Sequence, residues 1–282
     1  MKQMERLLDG FVFLEGPRWH EDRLYFSDMW GHAVYSASEG GDVKKIADVP
    51  GRPSGLNFLP DGRLIVVSMA DRKLFEISKA GSLSEYADLS DIIDSDINDS
   101  VVDKAGNIYV GSFGYDLFAN EEPKLASMAI VEKNGSVGIA ADGLNFPNGA
   151  VISPSGDTLI CAETFGHCLT AFNMNSTGQL TNRRVWADLG EHTPDGICLD
   201  AEGAIWVASF VTGVFLRVQE GGKITEEISV GGKRAVACNL GGADGCTLFG
   251  ITFEGEIEDI GGEAKKARVE ICRVEVPTAS SP

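Results

Sequence analysis

FPNGAVISPSGDTLICAE (146–163) and TPDGICLDAEGAIWVAS (193–209) are two versions of one phrase. Each has a short opening segment, an apolar run, a tight turn with Gly beside Asp, Ser or Glu, and a second apolar run. Working outward, the phrase recurs as LEGPRWHEDRLYFSD (14–28), PSGLNFLPDGRLIVVS (53–68) and INDSVVDKAGNIYVGS (97–112). A looser copy is RAVACNLGGADGCTLFGI (234–251). Each copy is followed by two more extended pieces, as in RKLFEIS (72–78) and then LSEYADL (83–89). The unit is therefore four strands long and returns every forty to fifty residues or so, the period of a propeller blade.

Six such units with no helical period predict an all-β, six-bladed β-propeller, four antiparallel strands per blade, as a single domain over residues 1–282. A two-layer β-sandwich is the alternative, but it has no reason to keep a regular four-strand phrase. The chain ends predict how the ring closes. ARVEICRVEV (267–276) reads as the third strand of the sixth blade, and residues 4–9 as its fourth. Pairing the N-terminal strand with the C-terminal blade removes an exposed edge.

The chain has 282 residues, 43% of them apolar, and a formal net charge of −18. That charge excludes nucleic acid and anionic membrane surfaces as partners, because the phosphate term is repulsive. No segment reads as a signal peptide or a membrane span. The six cysteines show no C-x-x-C spacing and most sit in apolar runs. They read as small buried hydrophobes in a reducing compartment, so a cytoplasmic location is expected.

In a propeller, equivalent positions of the inner strands meet at one mouth of the central channel. The residue just before each inner strand is Glu15, Ser54, Asn98, Asn148, Asp195 and Ala235. Two acids and two amides thus converge, an oxygen set suited to one hard divalent cation. Ca²⁺ is the first choice, with Mg²⁺, Mn²⁺, Zn²⁺ or Fe²⁺ as alternatives. The bland reading is that PNG and PDG merely build turns.

With these residues in place, the chain resembles the regucalcin/gluconolactonase (senescence marker protein) family of six-bladed propellers. It is more distantly similar to diisopropyl fluorophosphatase and paraoxonase. The resemblance is carried by EGPRW (15–19), NDSVVDKAGNIYVGS (98–112), FPNGAVISPSGDTL (146–159) and TPDGICLDAEGAIWVA (193–208) in that order. It implies a single cation held by Glu15, Asn148 and Asp195, with Asn98 facing it, and hydrolysis of a lactone or, in some members, an organophosphate. Sugar-lactonase members carry arginine where this chain has Asp96, and usually glycine where it has Ser100. A polyhydroxylated lactone therefore loses a cationic contact.

The expected mechanism is metal polarisation of the carbonyl, with Asp195 as general base and Asn98 as a donor to the developing oxyanion. Loops joining second to third strands are expected at the same mouth. They offer Trp30, Phe113, Tyr115, His167 and Phe210 as substrate contacts, beside Met29, Met69, Phe165 and Phe253. The long loop 112–126 reads as a partial lid. A small-molecule lactone or ester with apolar character is the expected substrate. The rival reading is a non-catalytic calcium-binding propeller.

Overall fold

The computed structural model describes residues 2–279. Among these residues lie six four-stranded antiparallel sheets and one 3₁₀ turn, Ile257–Asp259. The sheets are the blades of a six-bladed propeller. Their innermost strands are Leu14–His20, Pro53–Phe58, Ile97–Val102, Pro147–Ile152, Pro194–Leu199 and Arg234–Gly241. Each packs against the next in chain order, and the sixth packs against the first.

Burial follows position in the blade. The second strands Leu64–Ser68, Ile108–Ser112 and Ile205–Ser209 are buried at every residue. They touch neighbouring blades on both faces, which is why the sequence shows continuous apolar runs there instead of alternation. Outermost strands such as Val43–Asp48 keep their charged residues in solvent. Each large apolar side chain buried between blades contributes about 1.5–3 kcal/mol. Trp206, Phe26, Phe215 and Phe249 are among the fully buried ones.

The ring closes as the ends of the sequence predict. Glu5–Phe11 pairs antiparallel with Ala267–Arg273, completing a sheet whose other members are Thr247–Phe253 and Arg234–Gly241. Side chains reinforce the joint. The Trp19 ring stacks on Phe249 of the sixth blade at 5.1 Å, and the Trp19 backbone N–H donates to Asn239 Oδ1 at 2.9 Å. Among the described residues no helix is long and apolar enough to cross a membrane.

Candidate active site

Every inner strand breaks register at one equivalent place. Pairing with the second strand skips between Glu15 and Arg18, Pro53 and Leu56, and Ile97 and Ser100. It skips again between Pro147 and Ala150, Pro194 and Ile197, and Ala235 and Ala237. Such bulges bend the strand and re-aim a side chain. Glu15, Ser54, Asn98, Asn148 and Asp195 all sit at these breaks. They lie inside the strands, which corrects the sequence reading that set them just before. The bulge interrupts the two-residue alternation by which a strand's start is recognised.

The following residue explains PNG and PDG. A Cβ at Gly149 would stand 2.6 Å from the Ile197 nitrogen, and one at Gly196 would stand 2.4 Å from the Ala237 Cβ. These glycines allow adjacent inner strands to approach at the axis; they do not build turns. The third blade departs from the pattern with Asp99, whose carboxylate meets Arg18. Arg18 Nη2 donates to Asp99 Oδ1 at 2.9 Å and to the Ser100 carbonyl at 2.8 Å, and Nη1 donates to the Pro17 carbonyl at 2.8 Å.

Glu15, Asp99, Asp195 and Arg18 are all buried together. Three carboxylates face one guanidinium, leaving two net negative charges if all ionise. Burial drives the Glu15 carboxyl well above its ordinary range, and the charges of Asp195 and Asp99 add to the rise. The Gly16 amide and Arg18 oppose it. Burial likewise raises Asp195, followed by repulsion from Asp99, while the Asn148 amide pulls the other way.

Three polar atoms at the bulge positions are buried with no hydrogen-bond partner: Ser54 Oγ, Asn98 Nδ2 and Asp195 Oδ1. Each such orphan costs about 1–3 kcal/mol, so a cluster of them calls for an occupant. Carboxylate oxygens of Glu15 and Asp195 with the Asn148 amide form an oxygen donor set that fits a hard cation, and a divalent charge balances the local excess. The Asn148 N–H₂ is engaged with Thr164 Oγ1 at 3.3 Å, and that hydroxyl donates to the Pro194 carbonyl at 2.7 Å. Among the described residues no group of three or more His, Cys, Asp or Glu is arranged to hold a metal, so the candidate rests on acids and amides together.

Above this polar floor opens an apolar pocket. Glu15, Asn98, Asn148 and Asp195 line it together with Met29, Phe113, Phe165 and Phe210. Trp30, Tyr115 and His167, read from the sequence as substrate contacts, are not among its lining residues. Trp30 stands one layer back, in contact with Phe118 and with Arg52. Tyr115 is buried beside Phe146 and faces a neighbouring polar cleft. His167 is the positive-φ residue of its turn, with Nδ1 bonded to the His192 carbonyl oxygen at 3.0 Å. Met69 and Phe253 are core residues.

The sequence reading missed Phe13, Phe146 and Thr193, which come from loops leading into inner strands. In a four-stranded blade, the fourth strand also returns to the mouth, so these loops share the face with those joining second to third strands. Leu117 and Phe118 of the lid segment, and Ile257 and Ile260 around the 3₁₀ turn, complete the wall. Asp96, placed where an arginine was expected, accepts from Arg52 Nη2 at 2.6 Å. The Ser100 hydroxyl is hydrogen-bonded to the Asn57 amide at 2.5 Å.

The fold and the axial cluster together define a six-bladed propeller with a polar site at the floor of one mouth. The sequence profile of the SMP-30/Gluconolactonase/LRE-like region matches residues 13–253, and the chain belongs to that family. Regucalcin of Danio rerio is 26% identical over 251 residues, covering 83% of this chain and 81% of its own. A pentonolactonase of Haloferax volcanii is 24% identical over 269 residues, covering 90% and 86%. The crystal structure of a calcium-binding protein, regucalcin, from Agrobacterium tumefaciens superimposes with a TM-score of 0.83 at 23% identity, covering 100% of this chain and 97% of that one.

Proposed function

We propose that this protein is a divalent-metal-dependent hydrolase that opens a lactone or related ester, with Asp195 as general base. The observation that carries the reading is that Asp195 Oδ1 and Asn98 Nδ2 are both buried without a partner, on residues that line the floor of an otherwise apolar pocket. One is an acceptor and the other a donor, the two functions that hydrolysis of a carbonyl needs. The pentonolactonase relative supports a lactone substrate, and the calcium-binding structural neighbour supports Ca²⁺ as the ion.

Glu15, Asn148 and Asp195 would hold the cation, with Asn98 beside them on the pocket floor. Bound there, a divalent ion would supply Lewis-acid polarisation of the ester carbonyl, would acidify water and would favour the ionised forms of Glu15 and Asp195. Asp195 takes a proton from the attacking water as its oxygen bonds to the carbonyl carbon. Asn98 donates its amide N–H₂ to the carbonyl oxygen as negative charge develops there. Asp195 then returns the proton to the ring oxygen as the C–O bond breaks. The phenylalanine walls exclude bulk water, which strengthens both contacts. Thr164 fixes the Asn148 amide by the bond described above.

The test is hydrolysis of a panel of aliphatic and aromatic lactones before and after chelation with EDTA. Activity is expected to vanish and to return with one divalent ion. Asp195→Asn should fold normally and lose at least about a hundredfold in rate, the scale of a positioned base. Full activity after exhaustive chelation sinks the metal role, and an active Asp195→Asn sinks the base. A chelation effect on melting alone, with no hydrolysis of any lactone, assigns the ion a structural role instead.

A further inference from the structure

One wall of the pocket is held from outside by a residue that does not line it. Arg52 precedes the inner strand of the second blade, and its guanidinium carbon stands 5.2 Å from the Trp30 ring centre and 5.1 Å from that of Phe118. The two rings meet edge to face at 5.4 Å. Arg52 Nη2 is anchored to Asp96 at 2.6 Å, and the Asp96 carbonyl accepts from the Phe113 N–H at 2.9 Å, at the start of the lid segment. Arg52 also adopts φ = 64°, a left-handed conformation that a residue with a side chain keeps only when its surroundings enforce it.

Phe118 is the outer edge of the apolar wall, yet a third of its surface is exposed and its segment has no regular secondary structure. The base of the segment is tied to the propeller through the Gly114 N–H, which donates to Ser95 Oγ at 2.8 Å, and through Tyr115 against Phe146, whereas at its tip Asp116 Oδ1 accepts from the N–H groups of Phe118 and Ala119 within the segment itself. At the tip, the Phe118 ring meets Trp30, Phe113 and the Arg52 guanidinium. Cation–π contacts of this kind strengthen as they are desolvated.

We propose that Arg52 is a specificity-determining positioning residue, clamping Phe118 against Trp30 so that the lid segment stands as an apolar wall, and that the site accordingly selects lactones bearing an alkyl or aryl substituent. The substrate half of this inference rests on the hydrolase reading; the clamp itself does not. A substituent extending from the lactone ring, away from Asp195 and Asn98, lies along Phe113, Phe118 and Phe146. A polyhydroxylated chain finds no partner on those rings and leaves its hydroxyls unpaired.

The experiment compares Arg52→Ala, Arg52→Lys, Phe118→Ala and the double variant Arg52→Ala/Phe118→Ala with the parent. Native-state trypsin cleavage after Lys124 reads the lid without any substrate. It should accelerate about tenfold in Arg52→Ala, the change expected for removal of roughly 1.4 kcal/mol of local stability. Arg52→Lys keeps the charge toward Asp96 but lacks the planar face, so it should restore only part of the protection. For kcat/KM, preference for a hexyl-substituted over an unsubstituted γ-lactone should fall about tenfold in Arg52→Ala and in Phe118→Ala. The double variant should lose no more, because the two residues act as one unit. Unchanged cleavage, or equal losses on both lactones, overturns the clamp. If the parent opens no lactone, the hydrolase reading fails separately. The clamp is then judged by cleavage and by binding of the apolar probe N-phenyl-1-naphthylamine, which Arg52→Ala should weaken.

Discussion

Replacing Arg18 with methionine tests the electrostatic account of the channel most directly. The side chain bridges the first and third blades through Asp99 and the Ser100 carbonyl at 2.8–2.9 Å, and is steadied by the neighbouring Pro17 carbonyl. Methionine fills similar space without charge, so packing is largely kept and the change isolates the ion pair. It leaves Asp99 with the Ser100 N–H, at 2.8 Å, as a remaining donor, next to Glu15 and Asp195. Breaking a buried pair in this way costs about 3–5 kcal/mol. For 282 residues the entropy of unfolding is about 0.6 kcal/mol/K, so the melting temperature should fall by about 5–8 °C. Calorimetry in chelator measures this. The same substitution removes a positive charge beside the proposed cation, so calcium affinity by titration calorimetry should tighten, and added calcium should recover part of the lost stability. A melting temperature within about 2 °C of the parent in chelator, or weaker calcium binding, refutes the account.

Two further outcomes follow from the same geometry. Because burial and neighbouring carboxylates raise Glu15 and Asp195 in the folded protein, the fold retains protons that the unfolded chain releases. Their contribution is complete below the unfolded carboxylate range near pH ~4 and is lost as pH rises toward the raised values, so cation-free protein should melt lower at pH 8 than at pH 5. The −18 net charge acts in the same direction, so the decisive quantity is the slope of melting temperature against pH, which Glu15→Gln should reduce and saturating calcium should flatten; identical slopes would falsify it. Gly196→Ala, which sets a methyl 2.4 Å from the Ala237 Cβ, should destabilise by about 1–3 kcal/mol in denaturant melts, and a neutral result would show that the inner strands have room to part.

The repeat, the blade count and the closure by the N-terminal strand were legible because they rest on local patterns: apolar runs, turn residues and spacing. Glu15, Asn98, Asn148 and Asp195 could be brought together on paper for the same reason, since equivalent positions of a ring must converge whatever the side chains do. Gly149 and Gly196, after Asn148 and Asp195, were open to a turn reading, because close approach of two strands leaves no mark on either one alone. Phe13, Phe146 and Thr193 escaped notice because a second family of loops reaches the mouth.

Loop side chains were beyond the sequence altogether. Trp30, Tyr115 and His167 lie on the expected face, yet their directions depend on backbone angles and on neighbours far along the chain. The same holds for the Arg18–Asp99 and Arg52–Asp96 pairs, whose members come from different blades. Periodicity alone thus determined the ring and the positions that face its axis. Only the folded molecule decided which of those groups go unpaired, because desolvation and charge pairing are properties of space shared between strands.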